Sequence, residues 1–152
     1  MNKYLELARV TGAFKDSELE VLEGVLDDYI HFPSEGYIIL EENLGDKTAG
    51  FIIFGRAPLT AFVWDIYWLA VAKELQGNGF GKRLLMKVES YILQTNDRAI
   101  IRVETSSQKM FAHAHGLYIK QGFSEVARIR DFYSDGDDNI ILCKDLRFVR
   151  YQ

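Results

Sequence analysis

Apolar residues along this chain recur with two periods, and the switches between them mark out its elements. Tyr4, Leu5, Ala8 and Val10 suit a short helix better than a strand, and Thr11-Gly12-Ala13-Phe14 breaks it. From Asp16 a second helix is predicted by an Asp or Ser cap, acids in its first turn, and Leu19, Leu22, Leu26, Tyr29 and Ile30 at helical spacing. It ends near Pro33. Residues 37–42 and 49–54 then read as strands of a hairpin, separated by the turn-rich Asn43-Leu44-Gly45-Asp46-Lys47. Arg56-Ala57-Pro58-Leu59 allows another reversal. Residues 61–71 form a long apolar strand rich in Trp, Tyr, Ile and Val, suited to the centre of a sheet.

The helical period returns after residue 79. Phe80, Leu84, Leu85, Val88, Tyr91 and Ile92 make an apolar stripe that leaves Lys82, Arg83, Lys87 and Glu89 mostly outward, and the pattern fades at Gln94-Thr95-Asn96-Asp97. Residues 99–104 are a strand, after which Thr105-Ser106-Ser107-Gln108 is placed to cap a helix holding Met110, Phe111, Ala114, Leu117 and Tyr118. That helix stops at Gln121-Gly122, with Gly122 as the C-cap residue. Residues 123–132 and 139–148 are the last two strands, joined across Ser134-Asp135-Gly136-Asp137-Asp138. No internal repeat or low-complexity tract interrupts this order, and no linker divides it, so residues 1–152 are expected to form a single domain.

The junction of the central strand and its helix, within residues 65–89, carries the candidate chemistry. A strand that feeds a helix through glycines presents bare N–H groups at a helix N-terminus, where unpaired donors and the macrodipole attract an anion such as a phosphate. Gly77, Asn78, Gly79, Phe80 and Gly81 do not give the dinucleotide spacing, which needs glycine where Lys82 stands, and no Walker loop can be read. A nucleotide-binding doubly wound fold is therefore disfavoured, and the hairpin-like early strands speak against it as well. The alternative is a turn whose glycines only permit close packing.

Composition narrows the function classes. A 152-residue chain can bury roughly 70% of its unfolded surface without disulfides or metal. Its net charge of −4 and pI near 5.4 argue against a nucleic-acid surface, which needs clustered Lys and Arg. Apolar runs are too short for a membrane span and the N-terminus lacks a signal-peptide core, so a soluble cytoplasmic protein is expected. The single Cys143 sits in the apolar run Ile140-Ile141-Leu142-Cys143 and reads as a buried strand thiol, not a nucleophile. His113 and His115 lack a third ligand at usable spacing, and His31 offers nothing specific, so no metal is expected.

Gln76, Gly79 and Gly81 fall on the pattern [RQ]-x-x-G-x-[GA], which resembles the acyl-CoA signature of the GNAT superfamily of N-acyltransferases. Leu117-Tyr118-Ile119-Lys120-Gln121-Gly122-Phe123 is similar to the L-Y-x-x-x-G-F that follows in many members. Arg128-Ile129-Arg130-Asp131-Phe132-Tyr133, followed by Asp135-Gly136-Asp137-Asp138, is similar to their closing strands. The resemblance covers residues 37–149 well and the N-terminal third weakly. It implies an α/β (α+β) fold: a mixed, twisted, mainly antiparallel sheet with a central splay, flanked by about four helices. Members usually open with an edge strand before the first helix; the sheet here is expected to be without it, leaving an edge that a loop or a second protomer of a homodimer could cover.

The resemblance also implies chemistry: an acetyl-CoA-dependent N-acetyltransferase acting on a primary amine of a small molecule or peptide, with no nucleic-acid or membrane partner. The implied cofactor contacts are Leu69, Ala70 and Val71 along the acyl and pantetheine arm, and Gln76, Gly77, Asn78, Gly79, Phe80, Gly81, Lys82 and Arg83 around the pyrophosphate. Lys82 and Arg83 equally suit a solvated helix face. Tyr118 matches the family's general acid, and its other reading is a core tyrosine. An alkylamine with a pKa of about 10.4 is neutral in only about one molecule in 10³ at pH 7, a cost of roughly 4.6 kcal/mol, so a base or a proton-conducting water is expected. Asp65 matches the acid used as base in the histone-acetylating branch; it could equally pair with an arginine or cap a turn. Glu104 is its rival. Tyr67, Trp68 and Tyr133 suit either the acceptor side or the core, and the acids of residues 16–36 suit either a cationic amine or a solvated face. A non-catalytic acyl-CoA sensor is the alternative function.

Overall fold

The computed structural model describes residues 2–33 and 36–148. Helices α1 (Lys3–Thr11), α2 (Asp16–His31), α3 (Phe80–Leu93) and α4 (Ala112–Lys120) accompany strands β1 (Ile38–Leu44), β2 (Lys47–Arg56), β3 (Val63–Val71), β4 (Ile100–Ser106), β5 (Ser124–Ser134) and β6 (Asp137–Asp145). The strands form one sheet in the order β1-β2-β3-β4-β6-β5. The β3–β4 pair is parallel, whereas β1–β2, β4–β6 and β5–β6 are antiparallel. Among the described residues no strand precedes α1, and β1 is a sheet edge. Among the described residues no helix is long and apolar enough to cross a membrane. By its contacts the chain divides into two compact units, residues 1–56 with 67–88, and residues 57–66 with 89–152.

In the first unit the helical spacing read from the sequence buries Leu5, Leu7 and Ala8 of α1 and Leu19, Leu22, Val25 and Leu26 of α2 against Phe51 and Ile53 of β2. Each such leucine or phenylalanine contributes about 1.5–3 kcal/mol of hydrophobic stabilisation. The stripe does not run the length of α2: Tyr29 and Ile30 are exposed. Seven consecutive residues of β2 are buried, because Phe51 and Ile53 face α1 and α2 while Gly50 faces Leu84 of α3. A Cβ on Gly50 would stand 2.8 Å from the Ala70 carbonyl oxygen, so only glycine lets β2, β3 and the start of α3 close together here.

In the second unit period-two alternation is plain along β4. Ile101, Val103 and Thr105 are buried, while Ile100, Arg102, Glu104 and Ser106 share the more open face. Register places Trp64 and Ile66 beside Ile101 and Val103, and Trp64 meets the Tyr91 ring edge-on at 6.3 Å. Strand β5 is exposed throughout.

Several boundaries differ from the sequence reading. The first hairpin turns within Gly45-Asp46, since Asn43 and Leu44 pair with Thr48 and Lys47. Asp16 is the first residue of α2 and not its cap. Lys15 takes that position, its N–H donating to the Glu18 carboxylate at 2.7 Å, so the acid in the first turn does the capping. Ser106 Oγ accepts from the Gln108 N–H ahead of the 3₁₀ turn Lys109–Phe111, which precedes α4, but Gln108 at the N-cap of that turn and Phe111 at the N-cap of α4 make no side-chain capping bond. Strand β6 stops at Asp145, whose carboxylate accepts from the Arg147 N–H and starts the turn Leu146–Phe148. Glu35, one of the acids counted in residues 16–36, lies outside the described residues, as do residues 149–152.

Candidate functional site

The strand-to-helix junction of the first unit is tied down by local hydrogen bonds. Ala72 N–H donates to the Ala49 carbonyl at 2.8 Å, which directs the backbone groups of Ala70 and Ala72 toward β2 and, by alternation, those of Leu69 and Val71 away from it. The 3₁₀ turn Lys73–Leu75 follows. Gln76 is extended and its side-chain amide donates back to the Val71 carbonyl at 3.2 Å, while the Asn78 amide donates to the carbonyls of Leu75 and Gln76. Gly77 and Gly79 have φ of +80° and +84°, a region that favours glycine. The first bond of α3 runs from the Arg83 N–H to the Gly79 carbonyl at 3.0 Å, so the N–H groups of Phe80, Gly81 and Lys82 lie ahead of it without an intrahelical acceptor. Phe80 is buried and fixes the helix start.

The two cations beside this loop differ. Lys82 is exposed and has no ion pair among the described residues. Arg83 folds back, with its guanidinium carbon 4.4 Å from the Phe80 ring centroid and Nη1 3.2 Å from where a Cβ on Gly79 would stand. Its Nε lies 3.7 Å from the Glu42 carboxylate.

The second unit holds the proposed proton-transfer groups. Tyr118 lies on α4 and is 3% exposed, and burial pushes its phenol well above the ordinary value, so it stays protonated across the neutral range. Among the described residues no group is hydrogen-bonded to its hydroxyl, while its ring meets that of Phe123 at 5.3 Å. The chain leaves α4 through paired bonds, Phe123 N–H to the Tyr118 carbonyl and Gly122 N–H to the Ile119 carbonyl. With Gln121 as the C-cap and Gly122 at φ +93° just beyond it, this is a Schellman ending. The L-Y-x-x-x-G-F spacing is thus a structural unit: the tyrosine, the left-handed glycine and the phenylalanine are the three positions that such an ending couples.

Asp65 is held by an arginine, one of the two alternatives to a base that its sequence left open. Arg102 Nε donates to Oδ1 at 2.7 Å and Nη2 to Oδ2 at 2.9 Å. The Asp65 partnership, then the nearby Glu104 charge, raises the Arg102 pKa against its partial burial. Glu104 is exposed two residues along β4, on the same face as Arg102. Cys143 pairs with Arg102 in the β4–β6 register, and burial raises its thiol pKa. His113 is exposed, and the His31 ring hydrogen-bonds the Asp27 carbonyl. Among the described residues no group of three or more His, Cys, Asp and Glu could hold a metal ion. Sequence reasoning missed Arg102 and Glu42. The alternation of Arg102 with Glu104 was readable, but its partner depends on strand register.

Residues 3–123 match the model of the acetyltransferase (GNAT) family. The chain belongs to this family. Among solved structures it superposes on a Desulfovibrio desulfuricans protein described as a GNAT-family acetyltransferase, with TM-score 0.87 and 30% identity over 95% of this chain and 90% of that one. An aminoglycoside 6′-N-acetyltransferase complexed with coenzyme A shares the fold at TM-score 0.74 and 18% identity, covering 95% of this chain and 89% of that one. The aminoglycoside 6′-N-acetyltransferase of Enterococcus faecium does so at TM-score 0.74 and 17% identity, with the same coverage. A search among curated proteins gives no significant match. The mixed α/β fold of this GNAT enzyme, with its six-stranded, mostly antiparallel sheet, therefore follows its relatives.

Proposed function

We propose that this acetyltransferase moves an acetyl group from acetyl-CoA directly to a primary amine of a small molecule or peptide, working as one domain. The observation that most supports this reading is the set of N–H groups ahead of the first bond of α3, reached through the left-handed Gly77 and Gly79. The junction suits a pyrophosphate: Gly79, at φ +84°, leads into those donors without a Cβ, which would crowd Arg83 Nη1 at 3.2 Å. N–H groups from Gln76 to Lys82 would surround the pyrophosphate, with Lys82 and Arg83 adding charge. Backbone groups of Leu69 and Val71, which point away from β2, would hold the acyl and pantetheine arm alongside Ala70.

Acetyl-CoA supplies the thioester carbonyl when bound. The amine nitrogen forms the new C–N bond as the C–S bond breaks, and an N–H of Leu69 or Val71 stabilises the developing oxyanion. Tyr118, which burial keeps protonated across the neutral range, donates its phenolic proton to the leaving sulfur. Both oxygens of Asp65 are engaged by Arg102, so we assign acceptance of the amine proton to the exposed Glu104, directly or through water, with Asp65 acting through Arg102. The fold neighbour that carries coenzyme A, and the amine acceptors named for both aminoglycoside enzymes, agree with this class of reaction.

The reading is tested by calorimetric titration with acetyl-CoA, followed by an amine panel in which the released thiol is measured. Tight binding with transfer to at least one primary amine is expected. Absence of acetyl-CoA binding would overturn the reading, and binding without transfer to any amine would leave only a sensor.

A further inference from the structure

We propose that Glu42 is a positioning residue that holds the Arg83 guanidinium over the phosphate loop. The inference rests on the acetyl-CoA reading above and concerns which side-chain cation serves that site. Glu42 lies on β1 opposite Gly50, with its side chain only 15% exposed. Two cations of α3 meet it, Lys87 Nζ at 3.2 Å from Oε1 and Arg83 Nε at 3.7 Å from Oε2. Lys87 is also committed to the Glu41 carbonyl at 2.7 Å. Arg83 is therefore held from two sides and reaches the loop on a third. Its Nε is turned to Glu42, its plane rests by Phe80, and Nη1 reaches the position above Gly79.

The outer edge of the guanidinium is left at the loop, where its planar fork suits a phosphate. Lys82, one residue earlier, has no such support. The sign of the Glu42 effect separates position from charge. A carboxylate beside a polyanion repels it, so Glu42 acting by charge alone would weaken binding, and its removal would tighten it. A Glu42 that orders Arg83 does the opposite.

The test titrates coenzyme A by calorimetry, at fixed salt, into the wild type and the variants Glu42→Gln, Arg83→Gln, Lys82→Gln and the Glu42→Gln/Arg83→Gln double variant, with thermal unfolding as the check on folding. Loss of a charge-assisted phosphate contact predicts binding about tenfold weaker for Arg83→Gln and a smaller loss for Lys82→Gln. Glu42→Gln should weaken binding about threefold or more, despite removing a negative charge, and should add nothing in the Arg83→Gln background. The KM for acetyl-CoA in Glu42→Gln should rise by a larger factor than kcat falls. Unchanged or tighter binding by Glu42→Gln, or an equal loss in the Arg83→Gln background, overturns the inference. If Glu42→Gln does not fold, Arg83→Gln binding no worse than Lys82→Gln overturns it independently. Failure of the wild type to bind coenzyme A would instead remove the acetyl-CoA reading itself.

Discussion

The Tyr118 carbonyl accepts the Phe123 N–H at 3.0 Å while the two rings meet edge-on at 5.3 Å, so one residue pair closes α4 through both backbone and side chain. The hydrophobic contact of a Schellman ending is usually a stability device. Here it also orients the phenol assigned to proton donation. Phe123→Leu removes the aromatic edge but keeps most of the buried volume, so it should cost about 1 kcal/mol of stability. If Phe123 positions Tyr118, kcat should fall while the KM for acetyl-CoA stays within error, which steady-state kinetics beside urea unfolding would reveal.

Tyr118→Phe isolates the hydroxyl. Among the described residues that hydroxyl has no hydrogen-bond partner, so its removal should leave stability within about 0.5 kcal/mol of wild type. Loss of a general acid typically costs about 10²-fold or more in turnover. Acetyl-CoA affinity measured by calorimetry should not move. Unchanged turnover would remove Tyr118 from the chemistry.

Asp65 and Arg102 separate structural from catalytic acidity. Asp65→Asn leaves Arg102 facing an uncharged amide, but the arginine side chain is 41% exposed and water compensates in part, so about 1–2 kcal/mol of stability should be lost. Its effect on turnover should be smaller than that of Glu104→Gln, because Glu104 is the group assigned to the amine proton. Steady-state kinetics at a single pH gives the distinction: kcat should fall by the larger factor in Glu104→Gln and by the smaller in Asp65→Asn. The reverse pattern would return the base to Asp65.

Local signals carried much of this fold. Helical spacing at Leu19, Leu22 and Leu26 located α2, and the glycines at 77, 79 and 122 located the loop and the end of α4, because each requirement there is met by nearby residues. The pairings that organise the candidate site are different. Asp65 and Arg102 are 37 residues apart and meet only through the parallel register of β3 and β4. Glu42 reaches Arg83 and Lys87 across a similar gap. Sequence alternation says which residues share a face but not which strand lies opposite, so neither pair could be read beforehand. Capping of α2 by Glu18 in place of Asp16 is a subtler miss, since an acid in the first turn serves equally well to satisfy the N-terminal donors.

Acid titration should expose a network at the edge of the first unit. Glu41 accepts from Tyr4 Oη at 2.6 Å and pairs with Lys3 Nζ at 2.7 Å, with Asn43 donating at 3.1 Å. Lys3 first, then Tyr4, lowers its carboxyl pKa from 4.5 to about 2 against a smaller opposing effect of burial. A carboxyl depressed on folding binds its proton more readily when unfolded, so its stabilisation is complete above pH 4.5 and is lost as pH falls through about 2. Because Lys3 is more than half exposed, solvent screening limits the contribution to about 1 kcal/mol. Glu41→Gln should therefore be less stable than wild type by about that amount at pH 7, with the difference shrinking between pH 4.5 and 2. Urea midpoints measured at several pH values across this range test the sign as well as the size. A gap that widened toward low pH would mean that the unfolded chain, and not the Lys3–Glu41–Tyr4 network, holds the carboxylate more strongly.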